Sequence, residues 1–125
     1  MTSDSPIWPA QLDHLRLNSD QPSMLADYYA SVFGYHQSDL PDGRFLLQGP
    51  GRRLVVGVGK PGDRPYHGFR LQNRQQLEEV RSFLQGMGVN TEPSPSEIFE
   101  ADAVAVRDPD GWLSVFGLPR TDLPS

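Results

Sequence analysis

The chain has three histidines, His14, His36 and His67, and no cysteine, so any divalent ion it holds must rely on imidazole and carboxylate, not thiolate. His14 stands in "QLDHLRLN" (11 to 18), where alternation puts Leu15 and Leu17 on one side and His14, Arg16 and Asn18 on the other. His67 stands in "PYHGFRLQ" (65 to 72). In a strand, Tyr66, Gly68, Arg70 and Gln72 would share one face, and His67 would turn with Phe69 and Leu71 to the other. Arg16 and Arg70 are the side chains that grip a carboxylate or another planar anion by forked hydrogen bonds. The plainer role for each is an ion pair with Asp13, Glu100 or Asp102. His36 opens no constellation. Ser19, Ser31, Ser82 and Ser114 lack the strand-to-helix turn of a nucleophile elbow, and no Gly-rich loop joins a strand to a helix as phosphate cradles require. Glu97, Glu100 and Asp102 are of a type that could supply a general base, but on a loop before a strand they read as solvated acids.

The elements that must position these groups come in two matching sets. A strand over 11 to 18 leads to a helix over 21 to 33, with Ser19-Asp20 at its start, Leu25, Tyr28, Tyr29, Val32 and Phe33 at helical spacing, and Gly34 as its stop. Three short strands follow, 35 to 38, 45 to 48 and 54 to 58, cut by "PDGR" and "GPGR". After the loop "GKPGDRP" the order repeats. A strand covers 66 to 72, and Asn73 and Gln76 stand at N-cap and N3 of a helix with Leu77, Val80, Leu84 and Met87 on one stripe, stopped by Gly88. Strands at 89 to 92, 103 to 107 and 112 to 117 complete it, the last after the turn "DPDG". A shift of 54 positions lays Leu15 on Phe69, Arg16 on Arg70, Leu17 on Leu71, Ser19 on Asn73 and Gly34 on Gly88. The chain therefore reads βαβββ twice.

Length and charge bound the rest. The 125 residues make one ordinary domain. The net charge of −5 arises without any basic run, which argues against nucleic acid as a partner. No apolar stretch approaches membrane-spanning length, and "MTSDSPIWPA" has neither a basic nor an apolar leader region. With the absence of cysteine, a cytoplasmic protein is expected.

Two βαβββ sets, with "LDHLRLNSD…LADYYASVFGY" at the front and "VAVRDPDGWLSVFG" at the back, resemble the vicinal oxygen chelate superfamily: glyoxalase I, the bleomycin-resistance proteins and the extradiol ring-cleaving dioxygenases. The resemblance spans 11 to 117. It implies an α+β fold whose two tandem βαβββ modules form a curved mixed sheet, with a concave pocket for a small ligand and usually a divalent metal held by His and Glu from the first and last strands. His14 matches the first-strand ligand. The last-strand carboxylate position falls on Val115, and aligning "RLVV" with "WLSV" puts its first-half counterpart on Val56. In the second module the ligand position falls on Gly68 or Tyr66, both of opposite parity to His67, which a one-residue bulge would be needed to rescue.

The expectation is therefore a single domain over 11 to 118, with modules 11 to 58 and 66 to 117 and terminal extensions 1 to 10 and 119 to 125. By parity its concave face carries His14, Arg16, Asn18, Leu54, Val56, Tyr66, Gly68, Arg70, Leu113 and Val115. Of these, His14, Arg16, Val56, Tyr66, Arg70 and Val115 are expected to bind a small, aromatic molecule with no metal and no cofactor, in a homodimer. Trp112 and Tyr28-Tyr29 are assigned to core or interface. One alternative is a lyase or dioxygenase using iron, manganese, zinc or nickel through His14, a shifted His67 and Glu100 or Asp102. Another is the non-catalytic N-terminal domain of a larger extradiol dioxygenase, which the word Tyr66-His67-Gly68-Phe69-Arg70 and the tail "GLPRTDLPS" suit.

Overall fold

The computed structural model describes residues 6–7 and 10–122; most of the expected N-terminal extension and the last three residues lie outside that range. The elements are β1 (Gln11–Ser19), α1 (Pro22–Phe33), β2 (His36–Leu40), β3 (Arg44–Gly49), β4 (Arg52–Val58), β5 (His67–Arg70), α2 (Arg74–Gly86), β6 (Thr91–Pro93), β7 (Val104–Arg107) and β8 (Leu113–Gly117). All eight strands form one mixed sheet in the order β2-β3-β4-β1-β5-β8-β7-β6. Within each module the first strand runs parallel to the last, β1 with β4 and β5 with β8, and the modules meet where β1 pairs antiparallel with β5. This is the expected α+β architecture.

Local chemistry explains the helix ends. Both helices are followed by a glycine with φ of 74°, Gly34 and Gly88, a left-handed conformation that glycine adopts without a Cβ penalty. Asn73 Oδ1 accepts from the Gln76 N–H at 2.8 Å, while Gln76 Oε1 reaches past the cap to accept from the Gln72 N–H at 2.6 Å. α1 lacks a side-chain cap; Ser19 Oγ accepts from the Gln21 N–H just ahead of it. Met87 falls beyond α2 and is exposed, so that stripe ends at Leu84.

Each helix seals one half of the same sheet face. Leu77, Val80 and Leu84 of α2 pack with Leu71, Val104 and Phe116, joined by Phe69, whose ring stacks on Phe116. Ala26 of α1 packs with Leu47 and Val56, joined by Leu25, Tyr29 and Leu54. Val56 and Leu54 were expected on the other face, and the ladder explains the correction. β1 and β4 pair Leu15 with Leu54 and Leu17 with Val56, and residues opposite one another on a ladder share a face. The residues of β4 on the helix-free face are therefore Arg53, Val55 and Gly57, opposite His14, Arg16 and Asn18.

That helix-free face is not an open hollow. The connection 94–103 between β6 and β7 lies over it, placing Ile98 against Leu40, Leu46 and Val55 and Phe99 against Tyr66, Ala105, Leu113 and Val115.

Candidate functional site

His14 reaches its position through two backbone devices. Between Leu12 and His14 the β1–β5 ladder slips: Leu12 lies opposite Phe69 and His14 opposite Gly68, which leaves Asp13 as the extra residue of a β-bulge. Neighbours in a regular strand point apart, whereas here the Asp13 and His14 side chains meet at 2.7 Å. Gly68 provides the room. A Cβ there would sit 2.4 Å from His14 Cε1 and 2.7 Å from Nε2, so the imidazole lies over β5 only because position 68 has no side chain.

Both imidazole nitrogens are engaged. Nδ1 donates to Asp13 Oδ2, which also accepts from Arg53 Nη2 at 2.5 Å, and Nε2 lies 2.9 Å from Ser96 Oγ. The ring is 1% exposed and meets Phe99 and Tyr66 edge-on, with centroids 4.7 and 5.5 Å away. Burial pushes the His14 pKa below its ordinary value, and the hydrogen bond and charge of Asp13 only partly oppose it. For Asp13, burial works upward, but the hydrogen bonds from His14 and Arg53 and the Arg53 charge outweigh it and hold the carboxyl below its usual range. His14 is thus neutral and Asp13 ionised. Since the carboxylate only accepts, the proton sits on Nδ1, and Nε2 accepts from the Ser96 hydroxyl.

Beside this chain lies a second knot centred on Glu97. Its carboxylate accepts from Arg16 Nη1 at 2.6 Å and from the Tyr66 hydroxyl at 2.7 Å, and pairs with Arg44 Nε at 3.1 Å. Burial, then the Glu97 charge, raises the Tyr66 phenol pKa far above its ordinary value, so the phenol is a permanent donor here. Arg16 also donates to Asn18 Oδ1 at 3.1 Å. Glu97 was expected in solvent. Its buried contacts with Arg16 and Tyr66, and the contact of Ser96 with His14, were not recognised from sequence.

The expected ligand-binding residues are not gathered around one cavity. His14, Tyr66 and Val115 are buried beneath the 94–103 connection, and Val56 faces α1. Arg70 is exposed at the far end of β5 opposite Gln11, while Arg16 bonds to the Tyr66 carbonyl at the near end. Roughly 13 Å of strand separates them, too far to share one planar anion. The acids proposed as their partners serve elsewhere: Asp13 holds Arg53, and Glu100 and Asp102 hold Arg74. His67 pairs with Leu15 on the side away from His14, its ring 6.2 Å from exposed Trp112. The bulge that would have shifted His67 is in β1 instead.

The donor set at His14 does not fit a divalent ion. The ladders pair His14 with Arg53 and Gly68 with Val115, so the repeat-related last-strand positions are Arg53 and Val115, not Val56. These four positions supply one imidazole engaged at both nitrogens, one guanidinium and no carboxylate. Among the described residues no group of three His, Asp or Glu side chains converges. An open cleft of about 340 Å³ does adjoin Asp13, His14 and Arg53. Its walls include Leu12, Leu15, Tyr35 and Leu54, with Arg52 at the exposed end.

A mixed sheet built from paired βαβββ modules, with a histidine at the start of its first strand, defines the glyoxalase-like class of fold. The chain belongs to the Glyoxalase/Bleomycin resistance protein/Dioxygenase superfamily, whose sequence profile matches residues 11–116. Among solved structures, a variant of homoprotocatechuate 2,3-dioxygenase from Brevibacterium fuscum is 21% identical with a TM-score of 0.74, over 96% of this chain and 36% of that one. A catechol 2,3-dioxygenase is 22% identical with a TM-score of 0.74, over 87% of this chain and 41% of that one. The homoprotocatechuate 2,3-dioxygenase of Arthrobacter globiformis is 16% identical with the same TM-score, over 91% and 37%. The chain thus spans less than half the length of these structures. No curated protein sequence matches it.

Proposed function

We propose that this chain is a metal-free member of its superfamily that binds a small aromatic molecule bearing an anionic group. The observation that carries this reading is the pairing of a ligand position already saturated by Asp13 and Ser96 with an adjoining cleft of about 340 Å³. Leu12, Leu15, Tyr35 and Leu54 offer apolar walls, and Arg52 and Arg53 supply the cations. The ligand thereby moves from the expected concave floor, which Ile98 and Phe99 fill, to the cleft beside β1. The homoprotocatechuate 2,3-dioxygenase of Brevibacterium fuscum was solved in complex with 3,4-dihydroxyphenylacetate, an aromatic carboxylate of suitable size for a first trial.

Thermal shift against a panel of aromatic acids, with and without a chelator, tests the reading. A ligand at 100 times its dissociation constant adds about 2.7 kcal/mol of stability, and the shift should survive chelation. Stoichiometric iron, manganese, zinc or nickel in protein purified without chelator, lost on His14→Ala, would overturn it in favour of a metal-dependent lyase or dioxygenase.

Two further parts of the reading rest on separate observations. Met24, Tyr28, Val32 and Phe33 are exposed on α1, an apolar stripe that suits a homodimer of a cytoplasmic protein; a monomer by sedimentation at micromolar concentration would refute the pairing. The span of under half of each dioxygenase chain favours, as a second reading, a non-catalytic module of a longer enzyme. Sequencing the gene beyond Ser125 for a further module with a complete His, His, Glu set tests it.

A further inference from the structure

Ligand binding in the cleft does not require the chain of contacts from Asp13 through His14 to Ser96. Ser96 Oγ lies 2.9 Å from His14 Nε2, His14 Nδ1 lies 2.7 Å from Asp13 Oδ2, and Arg53 clamps the carboxylate from the far side at 2.5 Å. With the proton held on Nδ1, the Nε2 lone pair faces the serine hydroxyl, which is the tautomer a general base needs. The Ile98 and Phe99 N–H groups both point at Ser96 Oγ, at 3.3 and 3.2 Å. Donors aimed at an oxygen favour its deprotonated form.

Access and backbone geometry add independent support. Ser96 is half-buried and lines an open surface cleft with Pro93, Ser94, Glu97 and Arg120, which gives a small electrophile a route to it from solvent. A cap for the turn at 96–99 would need only the serine oxygen and the two N–H groups. It would not need a β-bulge that turns an aspartate back onto the imidazole, nor a glycine at 68 that makes room for the ring. Bulges recur beside active sites because they re-aim a side chain in this way.

We propose that Ser96 is an activated nucleophile with His14 as its general base and Asp13 as the positioning residue, acting on small carboxylic esters. The Oγ–acyl bond forms as the hydroxyl proton passes to His14 Nε2. The bond from the carbonyl carbon to the alkoxide breaks, and the leaving alcohol takes that proton. Water then repeats the sequence, with His14 accepting its proton, releasing the carboxylic acid and restoring Ser96. This inference is independent of which ligand, if any, fills the cleft beside β1.

Phenylmethanesulfonyl fluoride is the first probe, read by intact mass and peptide mapping of the full chain. The expected result is one sulfonyl adduct, on Ser96, with loss of fluoride; it disappears in Ser96→Ala and forms about a hundredfold more slowly in Asp13→Asn. With p-nitrophenyl acetate, wild-type protein should release p-nitrophenolate in a burst of one per chain. Circular dichroism establishes that each variant is folded, and Arg53→Gln replaces Asp13→Asn if the latter is not. No adduct on Ser96 of the wild-type chain, an adduct spread equally over other serines, or a rate unchanged in Asp13→Asn or Arg53→Gln overturns the proposal.

Discussion

Replacing Gly68 with alanine tests how the site is built, because it adds one methyl group at the point where the first strands of the two modules cross. The new Cβ would lie 2.4, 2.7 and 2.8 Å from three atoms of the His14 ring, closer than real Cβ contacts come. The ring cannot retreat without leaving its partners, since Asp13 holds one nitrogen and Ser96 the other. Losing the charge-assisted bond costs about 1.5–3 kcal/mol and the neutral one about 1 kcal/mol. Against this, alanine restricts the unfolded chain and returns about 0.4–1 kcal/mol, and Gly68 has no positive φ to strain. The net expectation is a loss of about 2–3 kcal/mol, seen in urea as a midpoint lower by about 1–2 M.

Two controls make the result decisive. In a His14→Ala background the same change should be neutral or stabilising, so the double-mutant cycle should return nearly the whole effect as coupling. Gly86→Ala, at a position with nothing within 4 Å of its added Cβ, should raise stability by up to about 1 kcal/mol. A Gly68→Ala protein as stable as wild type, or an equal loss in the His14→Ala background, would show that the imidazole is not pinned across β5.

The pH dependence follows from the same ring. The folded pKa of His14 lies below the value near 6.5 of the unfolded chain, so unfolding takes up a proton as the pH falls. Stability should be complete above that value and decline below it by at most about 1.4 kcal/mol per pH unit. Asp13, lowered from 3.8, contributes fully above that unfolded-state value and loses its contribution as the pH falls from there through its folded pKa. Urea unfolding from pH 8 to 5 should show a shallower slope in His14→Gln than in wild type; equal slopes would refute the assignment. Glu97→Ala should cost about 3–5 kcal/mol by denaturation, because it strips the acceptor from Arg16 and Tyr66 in a buried setting; a loss under about 1 kcal/mol would mean the knot is solvated. Val56→Ala should cost about 2 kcal/mol or more, and Arg70→Ala less than about 0.5 kcal/mol, the reverse of what a shared ligand face would give.

The fold was legible in the sequence because its signals are local and repeated. Two alternating strands, two helical stripes and the glycines at 34 and 88 recur at one spacing, and the structure places them in matching elements. The faces of β1 and β5 were legible for the same reason, since polar and apolar residues alternate there. β4 defeated the method. Leu54, Val55 and Val56 are apolar in succession, so alternation assigns no face, and only the parallel register with β1 shows that Val55 looks away from α1. At Asp13 the period of two is broken by a bulge, which nothing in "QLDHLRLN" announces. Ser96 and Glu97 were missed because their partners stand 82 and 81 positions away, beyond any local pattern.

The segment that closes the helix-free face has a cause that can be read after the fact in its prolines. In the first module β2 and β3 stay paired to the end, with Ser38 opposite Leu46, Asp39 opposite Phe45 and Leu40 opposite Arg44. In the second, β6 stops at Pro93 and β7 starts at Val104, and the ladder ends with that pair. Pro93 and Pro95 lack the N–H groups that would carry the hairpin onward. The chain between them and β7 leaves the sheet, and the Ile98 and Phe99 side chains, 0% and 2% exposed, find their burial on the opposite module and on His14. Loss of strand pairing thus delivers Ser96 and Glu97 to the side chains of β1. The same two prolines that end the second hairpin complete a polar site in a family position where the ladder would otherwise have left an open floor.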